Sequence, residues 1–168
     1  MIRVDVETII MAAGPVPSVV VLRERNASTS GSESPLRALS IQTGSFEAAS
    51  ISRGINTGEQ NRPITHDLML DAVKQLGAKV ERVEINRVDA PIFFASVILG
   101  RDGADEISLD ARPSDALALA VRANAPIYVE DDVMNRAGSV SFSPEQPDDE
   151  AEIERFDRFV QTLSPDDF

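Results

Sequence analysis

Two short stretches of this chain set basic, acidic and imidazole side chains within a few residues of a proline. One is Asn61-Arg62-Pro63-Ile64-Thr65-His66-Asp67-Leu68, and the other is Asp110-Ala111-Arg112-Pro113-Ser114-Asp115-Ala116. With Glu47 they supply four carboxylates (Glu47, Asp67, Asp110, Asp115), the single histidine, His66, and two arginines, Arg62 and Arg112. Grouped carboxylates can hold a hard divalent cation. An imidazole can serve as general base or as ligand. A guanidinium can grip an oxyanion through two parallel N–H bonds. The same residues also have a purely structural account. Proline presets φ at a first helical position, and an acid in the first turn suits the helix dipole. Ser and Thr there can accept backbone hydrogen bonds, and the arginines could bridge back to the acids. Spacing alone leaves both accounts open.

The elements that must position these groups follow from periodicity. Strands are expected over 2–11, 18–22 and 37–42, then near 80–88, 92–99, 106–109 and 126–129, with Arg101-Asp102-Gly103 as a hairpin turn. Ala48, Ile51 and Ile55 mark one helix, which Gly58 can end. Leu68, Ala72 and Leu76 mark a second, with Pro63 in its first turn and Gly77 at its stop. A third runs Pro113–Ala123, and its core Ala116-Leu117-Ala118-Leu119-Ala120-Val121 is apolar all round, so burial on most faces is expected. Hairpins dominate the connections. That predicts an α+β fold with a mixed, largely antiparallel sheet of six or seven strands and helices packed on one side.

Within that order the chain repeats itself. Leu39-Ser40-Ile41-Gln42-Thr43 matches Ile107-Ser108-Leu109-Asp110-Ala111 at an offset of 68, and the match continues through Glu47-Ala48 against Asp115-Ala116 and Ile51 against Leu119. Val6-Glu7 matches Val83-Glu84 at an offset of 77. Two copies of a strand–hairpin–helix unit, with the Pro63 helix inserted between them, account for the repeat, and the offset drops because the Ser-rich loop is longer than its counterpart at 101–105. One folded body is expected over 1–138, with a polar Gly/Ser-rich loop at about 24–35. An acidic tail follows over 139–168. In it Ile153, Phe156, Val160 and Leu163 line one face of a helix at about 148–163. Such a stripe needs an apolar cover: its own body, a neighbouring subunit in a homo-oligomer, or a protein partner.

Composition bounds the rest. The chain has 168 residues, 42% hydrophobic and 26% charged, which suits one sizeable core. With no cysteine, disulfides and thiolate metal sites are excluded. No stretch approaches the roughly 18 apolar residues of a membrane span, and the acidic start does not suit a signal peptide, so a cytoplasmic protein is expected. The net charge is −12, of which the nine acids and two arginines of residues 143–168 contribute −7. That balance opposes tight, sequence-independent binding to polyanions, which needs Lys and Arg.

The combined pattern resembles the bifunctional nuclease (BFN) domain family, long carried as a domain of unknown function. The residues that carry it are Gly44-Ser45-Phe46-Glu47-Ala48-Ala49-Ser50-Ile51, Arg62-Pro63-Ile64-Thr65-His66-Asp67-Leu68 and Asp110-Ala111-Arg112-Pro113-Ser114-Asp115-Ala116. Phe94-Ala95 and Pro126-Ile127 also fit, and the resemblance spans about 2–135. It implies an α+β fold and, by the family's name, DNase and RNase activity of low sequence specificity on a nucleic-acid substrate; it supplies no settled catalytic residues. Phosphodiester hydrolysis needs an activated water and neutralised charge at phosphorus, commonly through Mg²⁺ or Mn²⁺ held by carboxylates. On that footing Glu47, His66, Asp67 and Asp115 are the catalytic candidates. Arg62 and Arg112 are the phosphate contacts, and Glu47, Asp110 and Asp115 the candidate metal ligands. No organic cofactor is implied. The chain lacks a His-x-x-x-His pair, a Glu-x-Lys nuclease core and a phosphate-cradling glycine loop. The competing expectation is a non-enzymatic binding or regulatory module, acting as an oligomer or through its C-terminal helix.

Overall fold

Runs of valine and isoleucine with period two build the sheet, because β-branched side chains fit a pleated, half-buried surface. The computed structural model describes residues 1–25, 36–56 and 62–140. In chain order the elements are β1 (Ile2–Ile10), β2 (Ser18–Glu24), β3 (Arg37–Thr43), α1 (Ser45–Ile55), α2 (Thr65–Gln75), β4 (Lys79–Asp89), β5 (Ile92–Gly100), β6 (Ile107–Ala111), α3 (Pro113–Ala123), β7 (Ile127–Val129), α4 (Asp131–Ala137) and β8 (Gly138–Val140). The strands form one sheet in the order β6-β5-β4-β7-β1-β2-β3-β8. Every pairing is antiparallel except β4 with β7, so the fold is α+β with a mixed sheet.

The expected duplication has a clear counterpart in this topology. A three-stranded meander ending in a helix occurs twice, as β1-β2-β3-α1 and β4-β5-β6-α3, with α2 between them. The two meanders flank β7. Register aligns one apolar row across five strands: Leu109, Val97, Val83, Ile127 and Val4 are successive partners, and all five belong to or pack against the core. A slip of one residue in any strand would send its share of that row to the opposite face.

Helix α3 is the hub. Ala116, Leu117, Ala118, Leu119 and Ala120 are all buried, as its all-round apolar pattern predicts. The helix packs against α1 and α2 and against β4 and β5 of the sheet. On the facing side Gly54 of α1 is buried. A methyl group there would lie 2.5 Å from Val121 Cγ2, so the close α1–α3 contact requires glycine. Asn124, at φ +52°, ends α3 in the left-handed conformation.

Several expectations are corrected. Among the described residues the sheet has eight strands rather than six or seven, and four helices stand where the body was expected to have three. Pro63 precedes α2 rather than sitting in its first turn, and Ile64 takes the N-cap position. Strand β8 carries the sheet to Val140. The glycine- and serine-rich stretch beyond Arg25, Gly58 and the helix at about 148–163 lie outside the described residues. Among the described residues, no helix is long and apolar enough to cross a membrane.

Candidate functional site

Each of the first three helices has an acid as its third residue: Glu47 in α1, Asp67 in α2 and Asp115 in α3. The fold gives these equivalent acids different surroundings. Because α1 and α3 leave equivalent strands of the two repeats, their first turns lie side by side. Glu47 and Asp115 meet there at one guanidinium. Arg112 Nε donates to Asp115 Oδ2 at 2.7 Å, Nη2 to Asp115 Oδ1 at 3.0 Å and Nη1 to Glu47 Oε1 at 3.1 Å. These bonds engage three of the five N–H donors of Arg112. Its side chain is 65% exposed, so the remaining donors face solvent.

Helix α2 brings in His66 at its second position. The ring lies between α1 and α3. His66 Nδ1 is 2.8 Å from Ser50 Oγ and Nε2 is 3.2 Å from Asp115 Oδ1. A carboxylate can only accept, so in the neutral ring the proton sits on Nε2 and Ser50 Oγ donates to Nδ1. The result is an unbroken path from Ser50 through His66, Asp115 and Arg112 to Glu47. It borders an open cleft of about 420 Å³ lined in part by Phe46, Glu47, Ser50, Arg53, His66 and Asp115. A second cleft of about 360 Å³ lies beyond Arg112 and Glu47, which form the ridge between the two; Gly44, Phe93 and Ser114 help to line it.

Electrostatics follow from these contacts. The Arg112 hydrogen bond holds the Asp115 carboxyl below the usual aspartate range. Partial burial works against this, and His66 adds to it. Asp115, followed by Glu47, raises the Arg112 guanidinium further above its already high value. The ridge is therefore a fixed cation between two fixed anions.

The remaining candidates fall elsewhere. Asp67 turns away from the cleft: Oδ2 accepts from its own helix start, Ile64 N, at 2.9 Å, and Oδ1 accepts from Arg122 Nε at 2.6 Å. Burial pushes its carboxyl up, but the Ile64 N–H and Arg122 prevail and hold it low. Asp110 pairs with Ser96 in β6–β5 register, and its neighbours Leu109 and Ala111 pack toward the core, so it projects from the opposite face of the sheet. Arg62 is exposed beside the start of α2.

Of the three candidate metal ligands, two are thus tied to a guanidinium and the third lies on the far face. Among the described residues no three His, Asp or Glu side chains are grouped to hold a metal ion. As folded, this donor set does not fit a resident Mg²⁺ or Mn²⁺.

Sequence reasoning did not single out Ser50, Phe46 or Arg53 as individual residues of the site, nor Arg122 as the partner of Asp67. Ser50 was legible only as a polar residue next to Ile51 on the packed side of a helix. Phe46 is 89% exposed at the cleft rim.

Comparison with known proteins gives a consistent picture. The family model for the bifunctional nuclease domain matches residues 21–141. An uncharacterized protein of Mycobacterium tuberculosis (strain ATCC 25618 / H37Rv) is 38% identical over 157 residues, covering 89% of this chain and 87% of that protein. Bifunctional nuclease 2 of Oryza sativa subsp. japonica is 27% identical over 134 residues, covering 79% of this chain and 39% of the rice protein. Bifunctional nuclease 2 of Arabidopsis thaliana is 36% identical over 70 residues, 40% of this chain and 21% of its own.

Proposed function

The chain belongs to the bifunctional nuclease domain family, and from that premise we propose that its cleft hydrolyses phosphodiester bonds of nucleic acid with little regard to sequence. The observation that supports this reading is the joining of Glu47, His66, Asp115 and Arg112 at one open cleft. Two kinds of group are needed at phosphorus: cations that match its charge, and a base that moves a proton. The outward N–H groups of Arg112 serve the first need, with Arg53 of α1 also lining the cleft. His66, fixed by Asp115, serves the second. The N-terminal turns of α1, α2 and α3 add partial positive charge at the same place.

Phe46 fits the other half of the substrate. An exposed ring at the rim can stack on a base, and stacking tolerates any base because each has a π-face. A single strand laid across the Arg112 ridge, with a base on Phe46, would be held mainly by phosphate contacts and stacking. That accounts for low specificity in an acidic protein. Few phosphates are neutralised, so affinity should be modest and its salt slope shallow, about −1.4 for two contacts on a single strand.

Fluorescence anisotropy of a labelled single-stranded oligonucleotide tests this directly. Phe46→Ala is expected to weaken binding by about 1–3 kcal/mol, roughly 5- to 150-fold, with thermal stability unchanged because the ring is exposed. Phe46→Trp should retain affinity. An unchanged affinity in Phe46→Ala would remove the stacking role.

The engagement of Arg112 with two acids favours a second reading, a binding module without turnover. It predicts the same Phe46 dependence with no strand cleavage in the bound complex, whether Mg²⁺, Mn²⁺ or a chelator is present.

A further inference from the structure

We infer that Ser50 is the nucleophile of this site, a role that rests on the phosphodiesterase reading above. Ser50 is only 8% exposed, yet it borders the cleft, between the buried Ala48 and Ile51 positions of α1. Its Oγ lies 2.8 Å from His66 Nδ1. The other ring nitrogen is committed to Asp115. His66 therefore has no third nitrogen with which to activate a water, and the proton it is placed to take is that of Ser50. A hydroxyl aimed at a base, and a base oriented by a carboxylate, is the arrangement that activates a serine. Arg112 in turn fixes the carboxylate through two bonds. Here the serine meets Nδ1 and the acid meets Nε2.

The chemistry balances with water as the only co-reactant. Ser50 Oγ attacks phosphorus, its proton passes to His66 Nδ1, and the P–O bond to the departing sugar breaks as that oxygen takes the proton. A water then attacks the phosphoserine diester and gives its proton to His66. The Oγ–P bond breaks and Ser50 recovers its hydrogen. The net change is one diester and one water to one phosphate monoester and one alcohol. No step draws on a metal ligand set that the folded side chains do not provide.

An organophosphorus fluoride tests the nucleophile apart from the nuclease reading, since Oγ–P forms as fluoride leaves. Peptide mass spectrometry of the treated wild-type protein is expected to place the adduct on Ser50, and His66→Gln should lose it. Ser50→Ala should reduce oligonucleotide cleavage at least 10³-fold. Cleavage that survives Ser50→Ala, or a cleaving wild-type protein with no adduct on Ser50, overturns the inference and leaves the nuclease reading standing. An adduct on Ser50 in a protein that cleaves no nucleic acid supports the activated serine and overturns the nuclease reading instead. Because the labelling arm uses unaltered protein, the result does not depend on how well a variant folds.

Discussion

Replacing His66 with glutamine is expected to lower the rate of oligonucleotide cleavage by about 10²–10⁴-fold, the usual contribution of a positioned acid–base group. Glutamine keeps polar atoms near Ser50 and Asp115 but cannot take up a proton at neutral pH. The imidazole is held from both sides, at 2.8 Å by Ser50 and 3.2 Å by Asp115, so it contributes orientation as well as basicity. The loss should appear in kcat more than in KM, because Phe46 and Arg112 remain to bind substrate. Steady-state kinetics on a fluorescent oligonucleotide, with circular dichroism to verify folding, would check this. A variant that keeps more than half of the wild-type kcat would remove His66 from the chemistry.

Asp67→Ala is expected to act on the opposite quantity, costing about 3–5 kcal/mol of stability. Its neighbour in the chain is the proposed base, yet Asp67 is a structural tie. Arg122 is 5% exposed and donates to Asp67 Oδ1 and, through Nη1, to Ala118 O at 2.9 Å. Removing the carboxylate leaves a buried guanidinium without its counter-charge and also strips the acceptor from Ile64 N–H at the start of α2. At about 2–4 °C per kcal/mol, the melting midpoint should fall by roughly 6–20 °C. Urea titration would measure the cost. A fall of less than 1 kcal/mol would show that the Arg122 pair contributes little.

The same contacts contribute to the acid limit of the fold, with Glu24, Glu106 and Asp131, whose carboxyls are also held low. Folding lowers the pKa of both Asp67 and Asp115. Their stabilisation is therefore fully present above the ordinary aspartate value of about 3.9. In the window just below it the unfolded chain binds more protons, and stability is lost as pH falls through the folded values. Asp67→Asn should flatten that acid-side slope, since the amide does not titrate.

Much of this architecture can be read in the residues themselves. Pro113 and the unbroken apolar run after it define α3 from end to end, and alternation marks β1 to β7 to within a few residues. The repeat also reads through to the site, because the aligned acids Glu47 and Asp115 are the pair that Arg112 joins. What sequence could not assign was the division of labour between His66 and Asp67. Consecutive helical residues point about 100° apart, so one faces the cleft and the other Arg122, and nothing local says which. The partners of His66 lie 16 residues before it and 49 after it, joined only by the packing of three helices. Asp110 looked as good a ligand as Asp115. A strand places alternate residues on opposite faces, and its register sends Asp110 away. Helix α4 and strand β8 were not singled out: α4 is only seven residues long, and its buried Val133 and Met134 are adjacent and show no period.

The most direct test of a hydrolytic cleft is single-turnover cleavage of an end-labelled oligonucleotide by wild-type protein and by Asp115→Asn, purified side by side. The asparagine variant keeps the shape of the site but removes the charge that fixes both His66 and Arg112. Strand scission by the wild type with a loss of two or more orders of magnitude in the variant is the expected result. Equal rates in the two preparations, or intact strands in both, would contradict it.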